Sequence, residues 1–417
     1  MSKDTKVLLG IKDPHIKNVK LINLEQTQGP LQATGVLDYR PKVCPRCGVV
    51  NQQSIIGYGW RQVMVKLLRS SERDVWLRLK KRYFKCNECQ ACFLAATTLT
   101  QRHYTISNNT RIACLEKLSE AVSMKHIAHE LNISITTVAR YLKTYSPDIR
   151  THYDWLPQVI NMDEVKSTKD AKGSMSFVFM NGQSHQFCDI LESRTLYDLK
   201  RYFNRYTRAA REGVRVIVTD MNYTYPQLVA VFPNALVVTD RFHIINAAVT
   251  GFNQTRIRIM KQYATSNPKY KALKRYWKLL IKPNEKLNIG LYHHYSFITG
   301  FQTENQVVEE ILSYNPELRQ AYEALHTLMS AVKYRDINRL HAVLKPQNNF
   351  PSEMEKHFAP LRSHCESIEN ALKYNYSNGP LEGQNNKIKV LKRVAYGFGN
   401  FQNFRLRIRL MCNLKGA

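Results

Sequence analysis

The chain has 417 residues and a formal net charge of +28, from 61 Lys and Arg against 33 Asp and Glu. Its length asks for two to four modules rather than one core, and no apolar run approaches the roughly 18 positions that a membrane helix needs. The charge excludes a neutral scaffold and implies a polyanionic partner. Nucleic acid fits best, because phosphates neutralised by Lys and Arg release condensed counterions.

The opening MSKDTKVLLGIKD is charged throughout and lacks an apolar block before a small-residue cleavage site, so a cytoplasmic location without membrane contact is expected. Nine cysteines are an odd count, and five of them fall between residues 44 and 92. That clustering argues for metal before disulfides.

In chain order, residues 16–22 (IKNVKLI) alternate as a strand and residues 31–37 alternate again. Gly29-Pro30 is the turn signal between them, so a small hairpin is predicted. Cys44-Pro-Arg-Cys47 and Cys86-Asn-Glu-Cys89 follow as two tight knuckles. Each presents two thiolates to one tetrahedral ion, so the pair predicts a four-sulfur site for one structural Zn²⁺, with Cys92 the alternative to Cys89. Between the knuckles, Val75, Leu77 and Leu79 share one face of an alternating segment and Arg78, Lys80 and Arg82 the other. Such a sheet offers a basic face to a DNA backbone, although a zinc that only folds its module is the plainer reading.

Helical periodicity covers residues 108–120, 124–131 and 135–144, and Leu131-Asn132-Ile133-Ser134 supplies a turn and then an N-cap. This is a helix-turn-helix pattern. In its last helix Ile135, Val138 and Leu142 are expected inside, leaving Thr136, Thr137, Arg140 and Lys143 to reach a major groove. Plain scaffolding is the rival for any three-helix unit.

From residue 158 the pattern changes to strands at 158–165, 175–180 and 186–191, a helix at 195–207, a strand at 214–219, a helix at 225–232 and a strand at 235–239. Three strands, a helix, then alternating strand and helix is the order of a ribonuclease-H-like fold. Residues 264–372 read as mainly helical and polar, without a chemical motif.

Four acids are candidates for the chemistry, Asp163, Asp220, Asp240 and Glu382, although a lone Glu in a basic helix such as Glu382 is usually a surface ion pair. Asp163 lies in the apolar strand Val159-Ile160-Asn161-Met162-Asp163, where a carboxylate is costly unless hydrogen-bonded or paired with a cation. Asp220 closes the strand Val214-Arg215-Val216-Ile217-Val218-Thr219, at the edge where α/β sheets present ligands, and Asp240 ends the next strand in the same Val-Thr-Asp manner. A helix-capping role competes at both positions. Glu382 sits in Ser377-Asn378-Gly379-Pro380-Leu381-Glu382-Gly383-Gln384-Asn385, where Pro380 suits the first turn of a helix. Phosphodiester chemistry with two hard divalent ions about 3.5–4 Å apart needs several oxygen ligands, and three carboxylates suffice.

Met162-Asp163-Glu164, Val-Thr-Asp at 218–220, Thr-Asp-Arg-Phe-His at 239–243, the motif at 377–389 and Lys392-Arg393-Val394-Ala395-Tyr396-Gly397-Phe398 together resemble the DDE transposases of the ISL3 insertion-sequence family. The resemblance spans nearly the whole chain. It implies a mixed α/β protein: a ribonuclease-H-like catalytic core with a mainly helical insertion, preceded by a zinc-ribbon-like module and a helix-turn-helix. The expected divisions are 1–100 (hairpin and zinc module), 105–148 (helix-turn-helix), 155–263 (first part of the core), 264–372 (insertion) and 373–417 (C-terminal part with Glu382).

The resemblance further implies that Asp163, Asp220 and Glu382 form the catalytic triad, holding two Mg²⁺ or Mn²⁺ ions. Asp240 and His243 match an element near the start of the insertion and are expected as site architecture, while Glu164 should point to the other side of its strand. Lys387, Lys389, Lys392 and Arg393 would grip phosphates near the cut. The expected partners are double-stranded DNA, as terminal inverted repeats and as target, and a second copy of the chain in the DNA complex. A bacterial, nucleoid-associated protein is implied. The alternative is a zinc-containing DNA-binding regulator with a non-catalytic ribonuclease-H-like domain.

Overall fold

Alternation near the N-terminus does become a sheet. In the computed structural model, which describes residues 2–22, 29–145, 151–221 and 227–413, β1 (Ile16–Ile22) pairs antiparallel with β2 (Leu31–Leu37). Two further strands, β3 (Ile55–Lys66) and β4 (Val75–Cys86), extend it to the order β1-β2-β4-β3, and β5 (Cys92–Leu94) pairs with the end of β4. Val75, Leu77 and Leu79 are wholly buried, whereas Arg78 and Lys80 are exposed and Arg82 is half-buried. The period of two thus decides which face meets the core of Ile16, Ala33, Leu37 and Phe84.

By contact the chain divides into two units, residues 1–150 with 388–417 and residues 151–387. The first also holds three short helices, Asn108–Leu118, Met124–Glu130 and Ile135–Thr144. Each starts at a serine, Ser107, Ser123 or Ser134, whose side chain accepts from the backbone N–H three residues on. The C-terminal helix Phe401–Asn413 adds Leu410 to their core. Its buried Arg407 donates to the carbonyls of Glu120 (2.9 Å) and Val122 (2.7 Å).

The Ile135–Thr144 helix corrects one expectation. Ile135 is 48% exposed, and Thr137, expected to face DNA, is only 6% exposed. At about 100° per residue, Thr137 and Tyr141 stack one turn apart beside Val138. Tyr141 enters the core and draws the buried face round with it, leaving Ile135 at the margin. The Thr137 hydroxyl is then held inside by Ser134 Oγ at 2.9 Å and by Arg140, which donates to it at 3.1 Å. Thr136, Arg140 and Lys143 do face solvent.

The second unit is built on a five-stranded mixed sheet whose strands, in spatial order, are 236–239, 216–219, 159–166, 175–181 and 187–191. Its strands are β6 (Val159–Lys166), β7 (Met175–Asn181), β8 (Phe187–Leu191), β9 (Val216–Thr219) and β10 (Leu236–Thr239). β6, β7 and β8 form an antiparallel meander, and β9 and β10 run parallel to β6. The helix expected at 195–207 ends at Phe203, and a second helix, Arg208–Glu212, follows it from the cap Thr207. Of the helix expected at 225–232, residues 225 and 226 lie outside the described set, 227 and 228 are helical, and Val229–Val231 form a single 3₁₀ turn.

One sheet face carries an aromatic core with Ile160, Met162, Phe177, Phe179 and Phe203. The other contributes Val159, Val216, Val218 and Val238 to a core that runs on through the helices of 241–373. The helical segment therefore shares its hydrophobic interior with the sheet. Its first helix, Arg241–Met260, approaches the Ser352–Ser363 helix so closely that a Cβ on Gly251 would lie 3.1 Å from Met354 Sδ and 3.2 Å from Met354 Cα. No helix among the described residues is long and apolar enough to cross a membrane.

Candidate functional site

β6 is stitched to the segment around Glu382 by three asparagines. Asn161 donates to the Ser377 carbonyl at 2.8 Å, Asn378 to the Met162 carbonyl at 2.8 Å, and Asn385 to Asp163 Oδ2 at 2.7 Å. All three asparagines are nearly fully buried, where an unpaired amide would be expensive. The Gly379–Val394 helix, which carries Glu382 in its first turn, is thereby registered against the strand that carries Asp163.

Asp163 shares its side of β6 with Asn161, away from the aromatic core taken by Ile160 and Met162. Its carboxyl is pushed up to about 6 from 3.8, chiefly by burial and also by the charge of Asp220, while the Glu164 N–H and His243 act the other way. Glu164 turns from it and pairs with Arg194, as strand alternation requires.

Thr219 and Thr239 are partners in the parallel pair of β9 and β10, so Asp220 and Asp240 emerge side by side at one sheet edge. Asp240 is 3% exposed and caps the Arg241–Met260 helix, accepting from the Phe242 N–H at 3.4 Å. His243 follows within that helix's first turn. The ligand atoms of Asp240, His243 and Glu382 all lie within 4.8 Å of one another. Of the expected triad, Asp163 thus feels the charge of Asp220, while Glu382 groups with the capping Asp240 and with His243 in a cluster that does not include Asp163 or Asp220.

Asp163 feels the charges of Asp220 and His243, and His243 groups with Asp240 and Glu382, so five groups from four segments neighbour one another, and their chemistry fits hard divalent cations. Carboxylate oxygens dominate, the charge of Asp220 adds to the cost of ionising the buried Asp163, and the buried Asn385 Oδ1 has no hydrogen-bond partner among the described residues.

The four knuckle thiols also meet. Cys44 Sγ lies 3.7 Å from Cys89 Sγ and Cys47 Sγ 3.8 Å from Cys86 Sγ, with all four within 4.8 Å. A tetrahedral ion with Zn–S bonds of about 2.3 Å sets an S–S edge of roughly 3.8 Å, so the cluster fits one structural Zn²⁺. Backbone N–H groups of Cys47 and Arg46 pull the Cys44 thiol down to about 6. Cys47 is pushed up to about 12: the Val49 N–H favours its thiolate, but burial and the three neighbouring sulfurs outweigh that. Cys92 is exposed and outside this set.

On the sheet of the first unit, Trp60, Gln62 and Met64 pair across β3 and β4 with Arg82, Lys80 and Arg78. The Arg82 guanidinium and the Lys80 ammonium lie over the Trp60 ring, at 4.7 and 5.1 Å from its centroid. On the Gly379–Val394 helix, Lys387, Lys389 and Arg393 are exposed, and Lys392 is half-buried over Phe404. Sequence reasoning missed Asn161, Asn378, Asn385 and Trp60. The available signals were the seven-residue spacing of Asn378 and Asn385, two helical turns, and the alternation of Tyr58 and Trp60 in an exposed strand.

A sheet edge crowded with acids, a four-cysteine metal module and a strongly basic surface define a metal-using protein that acts on DNA. Residues 160–408 match the ISL3 DDE family model, described as transposase, and residues 40–89 match the zinc finger of the IS204/IS1001/IS1096/IS1165 transposases. The chain belongs to the ISL3 family of transposases. The transposase for insertion sequence element IS1001 of Bordetella parapertussis is 21% identical over 389 residues, 88% of each chain. A Lactococcus lactis protein described as an ATP-dependent protease is 41% identical over 108 residues. That match covers 26% of this chain and 35% of the relative, too short a stretch to carry an activity across.

Proposed function

We propose that this transposase binds the terminal inverted repeats of an insertion sequence and performs DNA cleavage and strand transfer at the Asp163–Asp220–Glu382 centre. The observations that support it most are the bond from Asn385 of the Glu382 helix to Asp163, the charges of Asp220 and His243 that act on Asp163, and the grouping of Glu382 with Asp240 and His243. The mixed sheet order suits a ribonuclease-H-like core. A regulator with a non-catalytic domain has no use for a buried carboxylate made costly by its acidic neighbour, and the family matches do not favour it.

In this reading Asp163, Asp220 and Glu382 would hold the divalent cations, with Asp240 and His243 beside them. When bound, Mg²⁺ or Mn²⁺ supplies an activated water and charge stabilisation for the departing 3′ oxygen. Asn385 and Asn378 hold the Glu382 helix in register, which sets where the scissile phosphate sits. Lys387 and Lys389 neutralise neighbouring phosphates, as do Lys392 and Arg393 further along the helix. The liberated 3′-hydroxyl attacks a target phosphodiester and displaces another 3′ oxygen, so no covalent protein intermediate is required.

The three serine-capped helices act as a helix-turn-helix, with Thr136, Arg140 and Lys143 reading the terminal repeat and Thr137 supporting them from inside. The sheet of the zinc module grips the backbone through Arg78, Lys80 and Arg82. Pairing of two transposon ends calls for a dimer in the DNA complex. Single Asp163→Ala, Asp220→Ala and Glu382→Ala variants test the centre: each should abolish Mg²⁺-dependent cleavage of terminal-repeat DNA while leaving DNA binding intact. Normal cleavage by a folded variant removes that residue from the set.

A further inference from the structure

A further cluster of metal-ligating side chains shares no residue with the carboxylate centre or with the zinc module. Cys365 and Glu369 are four residues apart on the Cys365–Lys373 helix, hence on one face, and His341 reaches them from the Ile337–Leu344 helix. His341 Nε2 is 2.8 Å from Glu369 Oε1, Cys365 Sγ is 3.8 Å from the same oxygen, and the three ligand atoms lie within 4.8 Å of one another.

We propose that His341, Cys365 and Glu369 form a second zinc site, with one sulfur, one nitrogen and one oxygen ligand and a fourth position left to water. A tetrahedral zinc ion holds such ligand atoms roughly 3.3–3.7 Å apart. The Cys365–Glu369 separation is already close to that, and the His341–Glu369 hydrogen bond needs to open by only about half an ångström, within side-chain freedom. One thiolate and one imidazole beside a carboxylate select a borderline-soft ion over Mg²⁺, which prefers an all-oxygen shell. Half of His341 is exposed, so the site is open to solvent and can load.

The opposite face of the same helix docks on β10. Ser367 and Thr239 share a buried 2.7 Å hydroxyl hydrogen bond, and Asn370 donates to the Val237 carbonyl at 3.0 Å. An ion at His341, Cys365 and Glu369 would therefore pin this helix between the helical segment and the strand that ends at Asp240. Its role is to stiffen the approach to the Asp240–His243–Glu382 group, and it does not depend on the catalytic reading of those residues.

The test is a Co²⁺ titration of the full-length protein already carrying its ribbon zinc, with spectra recorded in the visible and near-ultraviolet. Wild type should show one thiolate-ligated Co²⁺ per chain, with a charge-transfer band of single-thiolate strength unlike a four-sulfur spectrum and absent from Co²⁺ at the sulfur-free carboxylate centre. Cys365→Ser should lose the band, and His341→Ala should weaken binding by about tenfold or more. Glu369→Gln, the mildest change in shape, should also weaken it, and circular dichroism would show that each variant remains folded. No additional thiolate band in wild type would overturn the site. So would a band that persists unchanged in Cys365→Ser.

Discussion

Asn385 donates its side-chain amide to Asp163 at 2.7 Å, joining two residues 222 positions apart in the chain. The bond connects the strand that carries the first acid to the helix that carries Glu382, one turn before Asn385. Removing it leaves a buried carboxylate short of a donor, which costs about 1–3 kcal/mol. Asn385→Ala should therefore lower both the melting temperature and the rate of terminal-repeat cleavage by about tenfold or more, while Asn385→Asp, adding a like charge, should do worse. Cleavage kinetics on oligonucleotide substrates decide this, and full activity in Asn385→Ala would dismiss the positioning role.

Asp163 makes a prediction about pH. Its folded pKa, about 6, lies above the ordinary 3.8, so burial favours the protonated form. Below pH 4 the group costs the fold nothing; the cost grows as pH rises through 6 and is fully present above it, at most about 3 kcal/mol at 1.36 kcal/mol per unit. Metal-free Asp163→Asn should thus melt above wild type at pH 7.5, with the gap closing as pH falls towards 4. Added Mg²⁺ should raise the wild-type midpoint and leave the variant unmoved. A variant that melts below wild type at pH 7.5 would contradict this account.

The zinc cluster separates the four knuckle cysteines from Cys92. Structural zinc contributes folding free energy directly, so Cys44→Ser or Cys86→Ser should unfold the β1–β5 module and lower the bound zinc by one ion per chain. Cys92→Ser should keep both the zinc and the fold, since Cys92 is exposed and lies outside the sulfur cluster. Zinc content by elemental analysis, read alongside circular dichroism, checks both halves.

What the sequence made legible follows from which forces are local. Strand alternation placed Val75, Leu77 and Leu79 inside and Arg78 and Lys80 outside, because a period of two leaves no other choice. The Cys-x-x-Cys spacing likewise foretold which four thiols meet. Thr137 was misjudged because one aromatic, Tyr141, rotated the buried face of a short helix, a tertiary effect that periodicity alone does not carry. The grouping of Glu382 with Asp240 and His243 depends on how a distant helix seats against the sheet edge. Asn161 and Asn385 were invisible for the same reason: a buried amide declares itself only once its partner is in place.

The exposed basic sheet gives the last prediction. Arg82 and Lys80 are held over the Trp60 ring, so their charges are positioned by an aromatic platform rather than left free. Each phosphate contact removed should reduce the slope of log K against log salt by about 0.9 and weaken binding uniformly across sequences. Lys80→Ala and Arg82→Ala should behave in this way on both terminal-repeat and random duplexes. Trp60→Ala keeps the charges but frees their side chains, so it should weaken binding while changing the slope little. Arg140→Ala, on the exposed side of the Ile135–Thr144 helix, should instead reduce the preference for terminal-repeat over random DNA. Fluorescence anisotropy across a salt series separates the two behaviours. An unchanged slope in Lys80→Ala and Arg82→Ala would remove this sheet from the DNA contact, whereas an unchanged sequence preference in Arg140→Ala would remove that helix from readout.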